Sequence, residues 1–360
     1  MPVDTFEYTF PAIRGIQAGR EYYASMCPLK LIPKIFLFDE EELVPEVRAQ
    51  RILNKSRIPE MAAYILQNHE NYVFSALTAS IDGAARFEQS SPESSDLGSL
   101  HISMQARFLI NDGQHRRAAI EAALREEPTL GDETIAIVFF LDRGLERCQQ
   151  MFADLNRHAI RPSKSLGLLY DHRDETAKLA KLVAMKSQAF KGLVEMEKSS
   201  LSVRSQKLFT LSAIHSGNAA LLGGEDIQSL EEAAVKCILF WDELAKHILE
   251  WQLVKEKKMA AGEVRKDFLH THALALQALG NVGFQLMRNE KSWKSKLKPL
   301  ATLDWSRNNV SLWEGRALIG GRVSKSGNNV VLTGNAIKNH LKLALTPEEE
   351  RIEGNFNRHE

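Results

Sequence analysis

Cysteine is scarce in this chain. The three thiols among 360 residues, Cys27, Cys148 and Cys237, are odd in number and far apart. That argues against a disulfide framework and against a Cys-rich zinc site, and it fits a reducing cytoplasm. Long apolar runs are missing too: none reaches the length of a membrane span, and no charged-then-apolar leader opens the chain. A charge excess is likewise absent, since 46 basic residues balance 46 acidic ones. A general polycation for nucleic acid is therefore not expected. There is no internal repeat and no low-complexity tract. Familiar catalytic signatures are also lacking. Gly320-Gly321-Arg322-Val323-Ser324-Lys325-Ser326 has the residues of a phosphate loop at the wrong spacing, and no His-Glu-x-x-His or Gly-x-Ser-x-Gly occurs. His270 and His272 point to different sides of a predicted helix, which argues against a metal pair.

What remains is the composition of a globular protein, with 44% hydrophobic and 26% charged residues. The length allows a large core, divided between two domains or one domain with a helical extension. Residues 5–16, 29–38, 72–81, 106–111 and 134–141 are predicted strands, with Lys34-Ile35-Phe36-Leu37-Phe38 the clearer part of the second. Residues 51–68 have helical spacing, with Pro59 near the start, where proline is tolerated. Ser90 to Ser99 reads as a mobile loop. From 144 to about 290 the pattern is helical, over 144–155, 174–190, 208–217, 227–251 and 266–288. Short strands at 317–319 and 329–332 and a helix at 334–344 close the chain. The expected organisation is a mixed α/β domain over 1–170, a helical domain over 171–290 and a small basic C-terminal module over 291–360.

The most informative stretch runs from Phe108 to Ile120. An apolar, β-leaning run stops at Asn111-Asp112-Gly113, a tight-turn sequence, and the chain resumes in helix-favouring residues from Gln114. Gln114, His115 and Arg116 therefore fall on the first turn of a helix, whose unpaired N–H groups and partial positive charge make an anion site. Asp112 is expected to cap that helix, with contact to Mg²⁺ beside a bound phosphate as the alternative. Arg116 suits bidentate phosphate contact. His115 is either a proton donor or anion ligand, or a hydrogen-bonded structural residue. Asn156, Arg157, Arg161 and Lys164 add donors in a second block, which reads equally as a solvated helix terminus.

Asp112-Gly113-Gln114-His115-Arg116 resembles the signature of the DGQHR-domain proteins, which look like relatives of the ParB/sulfiredoxin-like nucleotide-binding fold. Three further blocks narrow the likeness: Phe10 to Tyr23, Phe152 to Lys164, and Trp305-Ser306-Arg307 with Trp313-Glu314-Gly315-Arg316. Together they resemble the DndB family, the regulatory component of bacterial DNA phosphorothioation systems, over nearly the whole chain. The resemblance implies a ParB-like N-terminal fold and a motif that binds or hydrolyses a nucleotide, with ATP and Mg²⁺ as cofactors. It implies catalytic roles for Asp112, His115 and Arg116. Gly113, Gln114, Arg116, Arg117, Asn156, Arg157, Arg161 and Lys164 would hold the phosphates. It also implies a repressor that binds duplex DNA at its own promoter and works beside other DNA sulfur-modification proteins.

The charge distribution bears on that expectation. From Lys291 to Leu345 ten Lys/Arg face only Asp304 and Glu314. Such a segment suits a polyanion, and Lys294, Lys296, Lys298, Arg307, Arg316, Arg322 and Lys325 are the expected DNA-binding residues. A core-packed tryptophan pair with a solvated lysine face is the competing reading of Trp293, Trp305 and Trp313. Cys27, expected in a loop before Pro28, is a candidate reactive thiol, with an unreactive buried one as the default. Two functions stay open: a DNA-binding regulator, expected to be a homo-oligomer as such proteins commonly are, and a Mg-dependent ATPase acting in DNA sulfur modification.

Overall fold

In a computed structural model, residues 6–36, 55–141, 151, 155, 162–289 and 291–358 are described. By internal contacts the chain divides into two compact units, Met1–Ile160 and Arg161–Glu360.

The first unit is built on a seven-stranded mixed sheet. Its strands are β1 (Glu7–Gln17), β2 (Arg20–Pro28), β3 (Leu77–Asp82), β4 (Ala85–Ser91), β5 (Ser94–Ser103), β6 (Arg107–Asp112) and β7 (Thr134–Leu141), in the order β4-β5-β1-β2-β7-β3-β6. All neighbours are antiparallel except β3 and β7, which run parallel. Ala18 and Gly19 join β1 to β2 with positive φ at both positions (51° and 74°), a two-residue turn whose twist matches the strands. Phe10, Phe139, Phe108 and Phe36 form a chain of ring contacts through the core, with centroids 5.7, 6.0 and 5.7 Å apart. The helix Gln114–Glu126 buries Ala119, Ile120 and Ala123 in the same cluster.

Three expectations are corrected here. Residues 29–35 are helical, not a strand. Leu29–Leu31 is a 3₁₀ turn and Ile32–Ile35 a short helix with Pro33 in its first turn. Leu29, Ile32 and Ile35, three apart and all buried, follow a helical period through an apolar run; Leu37 and Phe38 lie outside the described residues. Residues 90–99 are the turn of the β4–β5 hairpin and part of β5, because β1 supplies the ladder that serine and glycine cannot specify themselves (Ala12 opposite Gly98). Cys27 lies on β2 opposite Ile135, fully buried, and not in a loop. The predicted strand at 134–141 matches β7, and the helix Ile58–Gln67 carries Pro59 in its first turn.

The second unit is mainly helical. Its longest helix, Ala273–Asn289, crosses Leu211–Leu221 at glycines: a Cβ on Gly280 would collide with the Gly217 carbonyl oxygen. Glu175–Lys186 and Leu230–Ala245 pack around this pair, and the predicted helix 227–251 ends at Ala245 and restarts at Leu249. Residues 329–332 are helical, not a strand. Ser326 and Asn329 form a reciprocal capping box that starts the helix Gly327–His340. One hydrophobic core runs from Leu168 to Leu341, so residues 171–290 and the C-terminal stretch share it. Trp241, Trp251, Trp305 and Trp313 are buried in it, with Trp305 and Trp313 stacked at 5.5 Å. Among the described residues no helix is long and apolar enough to cross a membrane.

Candidate functional site

β6 is an edge strand, and its end delivers the Asp112–Arg116 motif. Ile110 pairs with Ala79 and Asp112 with Thr78, which leaves Asn111 as one extra residue, a β-bulge. The bulge turns Asn111 inward, where it is fully buried and donates to Ser80 Oγ at 2.7 Å. Gly113 follows with φ 108°, ψ 17°, the left-handed region that glycine enters without a steric penalty. A Cβ there would meet Leu77 and the Arg116 guanidinium. The motif helix starts at Gln114, as expected.

Asp112 is not the helix cap. Gly113 occupies the N-cap position without a side-chain cap, and the Asp112 carboxylate instead accepts from Arg116 Nη2 at 2.6 Å. Arg116 also donates to Ser75 Oγ, while its buried Nε has no hydrogen-bond partner among the described residues. Gln114 Nε2 returns to Ile110 O at 3.2 Å. Burial, then the like charge of Arg57, holds the His115 imidazole below the ordinary histidine value. The site therefore gathers Arg57, His115 and Arg116 at a helix N-terminus. Arg57 and Ser75 come from distant sequence, and no local pattern marks them.

Arg117 faces away from such a site. Its Nε donates to Phe36 O at 3.1 Å and its Nη1 to Glu121 at 2.6 Å, with the side chain 8% exposed. Desolvation lowers its pKa and Glu121 works against that shift. It ties the motif helix to the turn before residue 37. Asn156, Arg157 and Arg161 lie outside the described residues. Lys164 opens the helix Lys164–Tyr170 of the second unit, next to Ser163, whose side chain caps it. Cys27 has its thiol pKa pushed up to about 12 by burial, the opposite of an activated thiolate.

The motif fits a phosphate better than a metal. A helix N-terminus and a guanidinium with a spare N–H supply donors. Asp112 is the carboxylate at hand for Mg²⁺, and it is already paired. Among the described residues no group of three His, Cys, Asp or Glu could enclose a metal ion.

The basic segment separates into two sets. Lys294, Lys296 and Lys298 sit on the helix Trp293–Lys296 and the 3₁₀ turn after it, and among the described residues none is in an ion pair. Lys294 and Lys298 are exposed, as are Arg322 and Lys325. The others are occupied internally. Arg316 makes a bidentate pair with Glu353 (2.6 and 2.9 Å) and lies 4.4 Å over the Phe356 ring. Arg307 donates to the carbonyls of Lys266 and Gly321 at 3.1 and 2.9 Å. The acidic last helix, Pro347–Phe356, also takes Lys338 through Glu349. Glu353 shows what decides its charge state: burial raises its pKa, and hydrogen bonds from Arg316 and Asn335 outweigh that and hold it low.

No curated protein and no solved structure matches the chain. A family profile does: the DndB family, described as DNA-sulfur modification-associated, matches residues 10–344. That span takes in most of β1, the motif, the lysine row and the greater part of each unit. The chain belongs to the DndB family of proteins associated with DNA sulfur modification.

Proposed function

We propose that the protein is a DNA-binding regulator of a DNA sulfur-modification gene cluster, acting as its repressor. The row Lys294, Lys296 and Lys298 carries this reading. These are three lysines with no carboxylate ion pair among the described residues, in a chain whose family is associated with DNA sulfur modification. Arg322 and Lys325 extend the cationic surface, whereas Arg307 and Arg316 serve the fold. Phosphate neutralisation by such residues supplies affinity without reading sequence. The Asp112–Arg116 loop is then a phosphate or nucleotide site that governs DNA affinity.

The test titrates the protein's own upstream promoter DNA against a scrambled duplex, with and without Mg-ATP. Selective binding that nucleotide alters is the expected outcome; equal affinity for both duplexes at physiological salt refutes the regulator. Replacing the three lysines with glutamine should lower the slope of log affinity against log salt by about two to three, at roughly 0.9 per phosphate contact.

A second reading is an ATPase, in which the Arg116 guanidinium would exchange its contacts to Asp112 and Ser75 for a phosphoryl oxygen. Asp112 would have to leave Arg116 to hold Mg²⁺. Mg²⁺-dependent phosphate release that vanishes in Arg116→Ala would promote it.

A further inference from the structure

The last helix, Pro347–Phe356, contributes no buried residue to the second unit. Charge attaches it instead. Glu349 and Glu353, four residues apart and so on one helix face, meet partners on and beside the helix Gly327–His340. One Glu349 oxygen accepts from the Lys338 ammonium, and the other accepts from Thr346 N at 2.8 Å. Glu353 accepts three N–H groups: Arg316 Nη2 at 2.6 Å, Arg316 Nη1 at 2.9 Å and Asn335 Nδ2 at 2.9 Å. Asn335 also donates to Glu349 O at 3.1 Å, and the Phe356 ring faces the Arg316 guanidinium. Glu348 and Glu350, on the same helix, are exposed.

The donor set on Glu353 suits a phosphate as well as a carboxylate, because both match the planar guanidinium fork. That set is held in place without the last helix. Asn329 Nδ2 donates to Arg316 O at 2.6 Å, and Arg316 Nη1 lies 3.4 Å from Leu332 O. Asn335 and Lys338 stand on a fourteen-residue helix that packs into the core through Val330, Ala336 and Ile337. The anchoring continues to Ala344, whose carbonyl accepts from Gln285 Nε2 of the long helix at 3.0 Å. Leu345 and the capping Thr346 then lead into the acidic helix. The family match stops at residue 344, so the three donor residues lie inside it and the helix that occupies them lies outside.

We propose that Arg316, Asn335 and Lys338 form a second contact surface for the phosphate backbone of duplex DNA, and that the last helix covers it, with the Glu349 and Glu353 carboxylates standing where phosphates would sit. This rests on the DNA-binding reading above and adds regulation to it. Arg316 serves the fold while the helix is docked and the DNA once the helix is displaced. One set of ion pairs replaces another in that exchange, so weakening the helix side shifts the population toward the DNA-bound form.

The test titrates the full chain with a random-sequence duplex over a range of salt concentrations. Glu349→Gln with Glu353→Gln should bind about tenfold more tightly than the wild type. Its slope of log affinity against log salt should be steeper by about two, at roughly 0.9 per phosphate gained. Glu348→Gln with Glu350→Gln removes the same charge from the exposed positions and should leave the slope unchanged. Adding Arg316→Gln and Lys338→Gln to the first pair should return the slope to that of the wild type. Hydrogen exchange on the wild type needs no variant to fold: the amides of 347–356 should exchange faster when duplex is bound. Equal slopes in the two glutamine pairs overturn the proposal, as does unchanged or slower exchange of that helix on DNA. If the wild type still prefers its own promoter, such a result strikes the covered surface and spares the repressor. A steeper slope without promoter preference does the reverse. Absence of binding to any duplex, in wild type and variants alike, overturns both.

Discussion

Arg116 and Asp112 face each other across Gly113, Nη2 to Oδ2 at 2.6 Å, so the motif's cation is held by the aspartate four residues before it. A bound phosphate would compete with that carboxylate for the guanidinium. In the proposed phosphate site Asp112→Asn should therefore tighten nucleotide binding by about three- to tenfold, and Arg116→Ala should weaken it by at least as much. Titration of both variants with ATP, with and without Mg²⁺, checks this. If Asp112 instead serves Mg²⁺, Asp112→Asn will lose only the metal-dependent part of binding.

Gly113 is fixed by both its φ of 108° and the space around it. Gly113→Ala strains the backbone and drives a methyl group into Leu77. It should cost about 2 kcal/mol of stability. Denaturant unfolding of the full chain, followed by far-UV circular dichroism, measures it.

Much of this neighbourhood could be read from sequence, and for a definite reason. The apolar run Phe108–Ile110, the Gly113 break and the alanine-rich helix after it are local signals, and structure kept them. β7 was equally plain as a run of β-branched and aromatic residues. The misreadings share a different cause. In Leu29–Phe36 a proline in the first helical turn, Pro33, and a spacing of three decided for helix, while the β-branched content pointed the other way. The β4–β5 hairpin exists because β1 offers a partner, and no residue within 90–99 announces that. Asn329 to Leu332 looks like a strand until Ser326 is seen to cap the turn before it. Ser75 and Arg57 reach the motif only through tertiary folding.

Acid should loosen the protein before carboxylates titrate. His215, His270 and His272 each have a pKa below the ordinary value, with burial the largest cause. Their neutral forms are favoured in the fold, so the unfolded chain takes up protons first. Stability present above about pH 6.5 is then lost as pH falls toward the folded-state values. The Glu250 carboxylate, 3.2 Å from His270 Nε2, opposes the shift without reversing it. The melting temperature should decline steadily from pH 7 to 5; a flat profile over that range contradicts this account.

Glu353 anchors the acidic last helix to Arg316, with both side chains 13% exposed. Glu353→Gln leaves a largely buried guanidinium without its counter-charge and should cost about 2–3 kcal/mol. The wild type should lose the same contribution as pH drops through the lowered pKa of Glu353. Thermal unfolding of the variant and the wild type from pH 7 down to pH 3 compares the two: the gap between them should narrow as the pH falls through the lowered Glu353 value.

All five tryptophans, Trp241, Trp251, Trp293, Trp305 and Trp313, lie in the second unit, and five of the six tyrosines lie in the first. The two units thus carry separate optical labels. Excitation at a wavelength absorbed by indole alone reports on the helical unit, whose core holds four of those rings. Far-UV dichroism includes the strands of the seven-stranded sheet. A single denaturation followed both ways will show whether the halves melt together or in turn, with no dye, tag or truncation.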